Sequence, residues 1–581
     1  MVAMARLPSR HFSSRIPVVS HGDMDAPSDI EDDAGDDKNS LLDSRDSEQS
    51  AASRSKSLLR SRFVLEHGYT SAALVDLYEV NNKVVGKGGF GSIRLARLKG
   101  GHPETWDRVV KTVEHRSSKD KDTFKREVEI LKTLDHPNLC RIYETFEEKK
   151  CFHLILEFID GKDLFDYVFE RFSSGQGFEE RLAALITWQL LQALHYCHAR
   201  NIIHRDIKPE NIMVCCAPEC TPDHGVRIKI IDFGLATDVV SLSHCPRGTF
   251  CGTYAYVAPE VTSGRARASA ASDLWAVGLV AHVLLLGDLP SDQVRHGVDP
   301  IDLSGAPISK AACEMICGLL EPDARRRLAA ARAEMTCEYS WTNALSRDGH
   351  SPPHKVSEDK QSDKSKQSVP LARISSNVMA SFITFHRTVM LHKAVITSVA
   401  MQLLDCDHVE RIKEQFIAVD YDGNGRISKA EFCKAVSEQA PDSMTPDVDA
   451  WVARVFDSID TDGSGEIDYS EFLAAGIAQC GVSSMSTMRA AFHVFDLDRS
   501  GKISAQEFAK VCEMLPEEAV SCMADFDANG DGEIDFTEFQ AIINGNGSPD
   551  TDFCKCASKS SNGITRRVLR KSQQGRRQMM L

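Results

Sequence analysis

The string His204-Arg205-Asp206-Ile207-Lys208-Pro209-Glu210-Asn211 places acids, a lysine and an amide side by side, and Asp232-Phe233-Gly234 and Ala258-Pro259-Glu260 follow it in order. Such groups suit a reaction that needs positioning and charge neutralisation more than covalent catalysis. Upstream, Val85 leads into Gly86-Lys87-Gly88-Gly89-Phe90-Gly91-Ser92-Ile93, the pattern G-x-G-x-x-G-x-[VI]. Glycines there let the backbone approach phosphates closely, yet the same letters open a dinucleotide fold. The strand-like Ser92-Ile93-Arg94-Leu95-Ala96 that follows disfavours that alternative, which needs a helix. Next come Val109-Val110-Lys111 and a helical pattern from Phe124 to Leu134 that carries Glu127. Lys111 suits nucleotide phosphates, and Glu127 suits holding Lys111.

Five motifs in this order resemble the eukaryotic protein kinases over residues 78 to about 341. The resemblance implies that Asp206 accepts or orients the substrate hydroxyl proton. It gives Lys208 the transferring phosphoryl group, Asn211 and Asp232 a magnesium ion, and Lys111 and Glu127 a pair formed in the active arrangement. Val85 to Ile93, Lys111, Leu156 at the gatekeeper position and Glu157 at the start of the hinge would hold ATP. Asp163 and Glu210 stand where similar kinases bind a basic residue three positions before the phosphoacceptor. In the activation segment Thr249 is a candidate phosphosite, and Thr253 would orient Asp206 and Lys208. Arg327 stands where kinases pair a buried arginine with the Glu of Ala-Pro-Glu, here Glu260. Three features depart from the pattern: Val109 replaces the usual alanine over the adenine, Leu289 to Ala306 is short and free of aromatics, and an insert carries Cys215, Cys216, Cys220 and His224. That spacing lacks the paired turn of a zinc site and is read as a plain loop.

A repeat appears beyond Leu404. Four twelve-residue loops, Asp420–Glu431, Asp460–Glu471, Asp496–Glu507 and Asp527–Glu538, each have Asp at position 1, Gly at 6, Ile at 8 and Glu at 12. This matches the EF-hand calcium loop, in which the sharp turn gathers oxygens and the last Glu supplies two. The other ligands are Asp422, Asn424 and Arg426; Asp462, Ser464 and Glu466; Asp498, Ser500 and Lys502; and Asn529, Asp531 and Glu533, with each position-7 residue acting through its backbone carbonyl. Ile427, Ile467, Ile503 and Ile534 would join the loops in two pairs. Serine at position 5 should weaken the second and third loops, within a sensor range of roughly 10⁻⁷ to 10⁻⁵ M.

Between the two regions, Val378, Phe382, Phe385, Val389, His392, Ile396, Val399 and Leu403 form an apolar stripe at helical spacing, interrupted only by His392. No Gly or Pro breaks it, so one continuous helix is expected, and its stripe needs a partner surface. Phe382 and Phe385 are its regulatory candidates. Arg373 precedes Ser376 by three residues, which makes Ser376 a candidate autophosphorylation site.

Kinase motifs, an apolar junction and four EF-hands on one chain resemble the calcium-dependent protein kinases of plants and protists. The implied architecture is α+β: a disordered extension (1–76), a bilobal kinase domain (77–341), a linker and autoinhibitory junction (342–405), an all-α calmodulin-like domain of two paired lobes (406–546) and a basic tail (547–581). ATP, Mg2+ and Ca2+ are the implied cofactors. Protein substrates are the implied partners, with the junction as intramolecular partner and a monomer as the assembly. The resemblance implies Ser/Thr phosphorylation, inhibited by the junction at low calcium. Two rivals are a calcium-responsive scaffold with a dead kinase domain, disfavoured by the intact motifs, and a kinase always on that calcium only localises. The net charge of -16 on 581 residues argues against nonspecific nucleic-acid binding. The 18 scattered cysteines suit a reduced, cytoplasmic chain. No apolar run reaches the ~20 residues of a membrane span, although the basic tail with Cys554 and Cys556 suits peripheral contact with anionic lipid.

Overall fold

The computed structural model describes residues 64–67, 74–88, 91–99, 107–114, 117–175, 177–215, 226–243, 251–327, 341, 374–387, 390–402, 407–437, 447–478, 485–512 and 514–543. Gly89, Phe90, Cys216, Cys220, His224, Thr249, Arg373, Val389, Leu403, both termini and the linker lie outside them.

Alternating apolar residues build a first lobe around one sheet. Its elements are β1 (Leu65–His67), a short helix α1 (Leu74–Leu77), β2 (Tyr78–Gly88), β3 (Gly91–Leu98), β4 (Arg108–Glu114), helix α2 (Ser118–Thr133), β5 (Ile142–Glu147) and β6 (Cys151–Glu157). The strand order is β1-β5-β6-β4-β3-β2, antiparallel except for β1 beside β5. The start of α2 is fixed by a capping box between Ser117 and Asp120. Phe124, Val128, Leu131 and Leu134, spaced three or four apart, then give α2 one buried face against the sheet.

The second lobe is mostly helical. It runs through β7 (Gly161–Asp163), α3 (Leu164–Ser173), α4 (Glu180–Ala199), β8 (Ile202–Ile203), β9 (Ile212–Cys215), β10 (Arg227–Ile230), β11 (Thr237–Asp238), α5 (Val239–Ser243), α6 (Pro259–Thr262), α7 (Ala270–Leu286), α8 (Asp292–Arg295) and α9 (Lys310–Leu319). Helix α7 is apolar on every side and buried almost throughout, so it is a core element, and Gly287 in the left-handed region (φ 80°) ends it. The short stretch after it still closes a small core, in which Leu303, Ile316 and Leu320 meet Ala258, Val261 and Trp275.

The junction is helical over α10 (Ser376–Arg387) and α11 (Met390–Gln402), and residues 388–389, on which the continuity of the expected rod turns, lie outside the described residues. The EF-hand region follows as α12 (Asp407–Val419), β12 (Ile427–Ser428), α13 (Lys429–Ser437), α14 (Asp447–Ile459), β13 (Glu466–Ile467), α15 (Tyr469–Ile477), α16 (Met485–Phe495), β14 (Lys502–Ile503), α17 (Ala505–Cys512), α18 (Pro516–Met523), β15 (Ile534–Asp535) and α19 (Phe536–Ile543). Ile427 pairs with Ile467 and Ile503 with Ile534, which gives two lobes of two loops. The mixed α+β architecture is therefore a kinase-like pair of lobes followed by helices. Among the described residues no helix is long and apolar enough to cross a membrane.

Candidate active site and calcium loops

Strand β4 carries Lys111 and α2 carries Glu127, and packing of α2 on the sheet brings the two together. The Lys111 ammonium donates to Glu127 Oε1 at 2.6 Å and to Asp232 Oδ1 at 2.7 Å. Burial alone would depress the ammonium, but the two carboxylates outweigh it and hold it above the usual lysine range. Burial would likewise raise Asp232, but Lys111 and the Gly234 N–H hold it below the usual carboxylate range.

The catalytic string forms a compact knot. Asp206 Oδ1 accepts from the Thr253 N–H at 2.8 Å and from the Thr253 hydroxyl at 3.0 Å. That hydroxyl accepts from Lys208 Nζ at 2.7 Å, and Lys208 also lies 2.8 Å from Asp206 Oδ2. Asn211 Nδ2 donates to Asp206 Oδ2 at 2.9 Å, so its amide oxygen is the atom that could face a cation. Thr253 thus orients both charged groups, and its hydroxyl is occupied in doing so. Two non-glycine residues in this region adopt left-handed backbone, Arg205 (φ 69°) and Asp232 (φ 63°), as strained active-site positions do. Gly252 (φ 95°) must be glycine, because a Cβ there would lie 2.5 Å from the Arg205 carbonyl.

Sequence reasoning missed the anchor of this knot. Asp273, buried on α7, accepts the backbone N–H groups of His204 and Arg205 at 2.9 Å each and lies 2.9 Å from His198 Nε2. Its burial would raise the carboxyl, but these partners hold it below the usual range. The signal was its place in Asp273-Leu274-Trp275, an acid opening a wholly apolar helix, where it needs partners. Arg327 grips Glu260 through two bonds of 2.7 and 3.1 Å.

In the glycine-rich hairpin Gly88 pairs with Gly91, and a Cβ on Gly91 would lie 1.8 Å from the Thr112 carbonyl. Lys87 belongs to β2, while Ser92 and Ile93 pair with Thr112 and Lys111. Val109 and Leu156 lie opposite each other on β4 and β6. Glu157 is used structurally: its carboxylate pairs with Lys229 at 2.9 Å and its N–H donates to the Arg141 carbonyl. Asp163 caps α3 by accepting from the Asp166 N–H at 2.7 Å. Glu210 lies near enough to feel Asp163; its carboxyl is raised by burial and by Asp206 and Asp163, against Lys208.

The calcium loops share one geometry. The position-6 glycines Gly425, Gly465, Gly501 and Gly532 all have positive φ, and each donates its N–H to the first aspartate of its loop at 2.7 to 3.1 Å. In the first three loops, oxygens of Asp420, Asp422 and Glu431, of Asp460, Asp462 and Glu471, and of Asp496, Asp498 and Glu507 gather within 4.8 Å of one another. Such crowding suits a divalent cation. Burial, with Glu431 and Asp422 adding to it, pushes the Asp420 carboxyl up to about 8, and Asp496 Oδ1 is buried without a hydrogen-bond partner. In the second and third loops the Ser464 and Ser500 hydroxyls donate to the Glu466 and Lys502 carbonyls at 2.9 and 3.1 Å, two ligand positions tied to each other. In the fourth loop Asp527 accepts from Gly532 and Asn529 Oδ1 from the Asp531 N–H, Glu538 accepts from Ala528 and Asn529, and Lys502 reaches across to Asp531 at 2.5 Å. Arg426, at position 7 of the first loop, pairs with Glu466 at position 7 of the second at 2.9 Å.

Residues 78–342 match the protein kinase domain family, and residues 409–475 and 485–543 match the EF-hand domain pair. The chain is 30% identical over 481 residues to calcium-dependent protein kinase 4 of Plasmodium falciparum, covering 79% of this chain and 85% of that protein. It is 31% identical over 491 residues to calcium-dependent protein kinase 3 of Plasmodium berghei, covering 80% of each. The chain belongs to the calcium-dependent protein kinase family.

In this family member the EF-hand domain holds the junction. Val378, Phe382, Phe385, Ile396 and Val399 all lie in the EF-hand core, and Phe382 meets the Phe472 ring edge-on at 5.1 Å. Helix α10 packs on α14 and α15, and α11 on α15, α16 and α19, so the junction runs from one calcium lobe to the other. The stripe undercounts α11, whose Leu391, Ala394, Val395, Ala400 and Met401 are buried as well. They belong to the same core, because α11 is enclosed by helices of both calcium lobes. The kinase domain adds polar contacts: Arg141 donates to the Ala400 carbonyl at 3.4 Å, and Arg108 to Gln402 at 3.0 Å. Two further arginines join the face, Arg200 to Asp468 at 3.4 Å and Arg227 to Glu410 at 2.6 Å. Asp135 Oδ2 accepts the Ser470 N–H at 2.7 Å, which satisfies a backbone donor in the first turn of α15, at position 11 of the second calcium loop. None of these contacts uses a catalytic residue.

Proposed function

We propose that this chain transfers the γ-phosphoryl group of ATP to serine or threonine of proteins, and that calcium relieves inhibition by the junction. Bound magnesium-ATP supplies the phosphoryl group and the charge neutralisation; Asn211, Asp232 and Lys111 are the residues placed to hold it. Asp206 orients the substrate hydroxyl and takes its proton as that oxygen bonds to the γ-phosphorus and ADP departs. Lys208, fixed by Thr253, faces the negative charge on the transferring group. Asp163 and Glu210 favour an arginine or lysine three positions before the acceptor.

One observation carries the regulatory reading. The Lys111–Glu127 pair and the Asp206–Lys208–Thr253 knot are both formed while the calcium lobes hold the junction stripe and dock on the arginine face. At low calcium the stripe is released and takes the kinase domain as its apolar partner. Phosphorylation of peptides with and without the upstream basic residue, in calcium and in chelator, tests this. Activity should require calcium, prefer the basic peptide and fall by about 10²–10⁴-fold in Asp206→Ala. Equal activity in chelator would remove the switch, and an unaffected Asp206→Ala would remove the assignment of the base.

A further inference from the structure

The hairpin that joins β5 to β6 gathers three groups unrelated to phosphoryl transfer. Cys151 Sγ lies 3.4 Å from His153 Nε2, His153 Nε2 lies 3.5 Å from Glu148 Oε1, and Glu148 Oε2 lies 3.7 Å from Cys151 Sγ. A tetrahedral zinc ion with Zn–N and Zn–O of about 2.0–2.1 Å and Zn–S of about 2.3 Å has ligand-to-ligand edges of roughly 3.3–3.6 Å. The Cys151–His153 separation matches such an edge, the Glu148 carboxylate turns one oxygen to each of them, and one ligand atom from each of the three residues lies within 4.8 Å of the others.

The sheet explains the arrangement. Cys151 and His153 are two residues apart on β6 and so point to the same side, and their cross-strand partners on β4 are Glu114 and Thr112. Thr112 Oγ1 lies 2.9 Å from His153 Nδ1. In the tautomer whose Nδ1–H donates to that hydroxyl, Nε2 turns its lone pair towards Cys151 and Glu148, as an outer partner orients a metal-ligating histidine. Burial keeps the His153 imidazole neutral by lowering its proton affinity, with Glu148 opposing. Glu114 is close enough to act on the Cys151 thiol, which burial, then Glu148, push up to about 11.

We propose that Glu148, Cys151 and His153 bind a thiophilic divalent cation of the zinc class, with the fourth position open to water or Glu114. Binding releases the Cys151 proton to solvent as the thiolate bonds to the metal. The ion would act on the kinase lobe as well as on the hairpin. Phe152, between the two ligands of β6, points to the opposite side and stacks on Phe124 of α2 at 4.1 Å, three residues before Glu127. An occupied site would brace the hairpin against the helix that presents Glu127 to Lys111.

Cobalt(II) is the probe, added to the reduced full-length chain with calcium in excess. The calcium loops offer only oxygen ligands, so a thiolate-to-cobalt charge-transfer band in the near ultraviolet reports cysteine ligation. One equivalent should produce the band, zinc should abolish it, and Cys151→Ser and Glu148→Gln should each reduce it at least tenfold while keeping calcium binding and the circular dichroism spectrum. No band in the parent chain, or a band undiminished in Cys151→Ser, would overturn the proposal.

Discussion

Phe382→Ala tests which domain holds the junction when calcium is bound. Phe382 is fully buried, with its ring against Phe472 at 5.1 Å and Phe432 at 6.0 Å. Truncating a phenylalanine so placed costs about 3–5 kcal/mol. Each ~1.4 kcal/mol is a factor of ten, so the grip of the calcium lobes on the junction should weaken by roughly two to three and a half powers of ten. Driving a two-state equilibrium from 99:1 to 1:99 takes about 5.5 kcal/mol. Parity lies half-way, at about 2.7 kcal/mol, so the single variant should carry the junction to parity or beyond, and adding Phe385→Ala, whose ring is equally buried and lies 5.1 Å from the Lys393 ammonium, should complete the release. Phosphorylation of one peptide is measured across a calcium series and in chelator, with calcium binding followed by calorimetry to show that the EF-hands still fold. The ratio of activity with calcium to activity in chelator should collapse towards one in the double variant. A double variant that keeps both the wild-type ratio and the wild-type calcium midpoint would refute the reasoning and make the junction a spacer.

Two further outcomes follow from the geometry. Ser464→Asp and Ser500→Asp replace a hydroxyl bonded to a neighbouring ligand carbonyl with a carboxylate, and calorimetric titration should show tighter calcium binding at those loops, on the order of tenfold; unchanged affinities would mean that position 5 is not limiting. The His136 imidazole, against which Gly425 of the first calcium loop packs, is depressed to about 3 by burial and then by Lys413, with Arg200 and Lys229 adding and Asp135 opposing. A depressed histidine favours the fold above its unfolded value of 6.5, and that contribution is lost as pH falls from there towards 3. Calcium-stimulated activity should therefore decline below about pH 6.5, and less steeply in His136→Gln; coincident profiles would clear His136.

The catalytic residues and calcium ligands were legible in the sequence because each set lies in a short contiguous string whose spacing is set by one turn or loop. Asp206, Lys208 and Asn211 share one loop, and Asp420 to Glu431 another, although the first loop is also held by Thr253 and by Asp273 from α7. The arginine face was not legible, since Arg108 meets Gln402 across 294 positions, and Ser470 meets Asp135 across 335. No local period links such pairs. The stripe in α11 was visible but too narrow, because a helix enclosed by both calcium lobes is apolar on more sides than one-face reasoning expects.

This division of partners explains how one helix can couple two domains without being committed to either. The apolar side chains of α10 and α11 lie in the EF-hand core, whereas the contacts of α11 with the kinase domain include hydrogen bonds from Arg141 and Arg108 to the Ala400 carbonyl and the Gln402 side chain. Large apolar burial of this kind is the stronger term. The arginine contacts are smaller: Arg108 and Arg141 make buried hydrogen bonds of roughly 1.5–3 kcal/mol each, and the partly exposed Arg200–Asp468 and Arg227–Glu410 pairs are the ones that salt screens. Grip and docking are therefore separable: the calcium lobes decide where the junction lies, and the arginine face decides how the gripped unit is set against the kinase lobes. On the proposed switch, the junction would change partner at the cost of one apolar interface, while the catalytic knot, anchored by Asp273 on a buried helix, stays assembled.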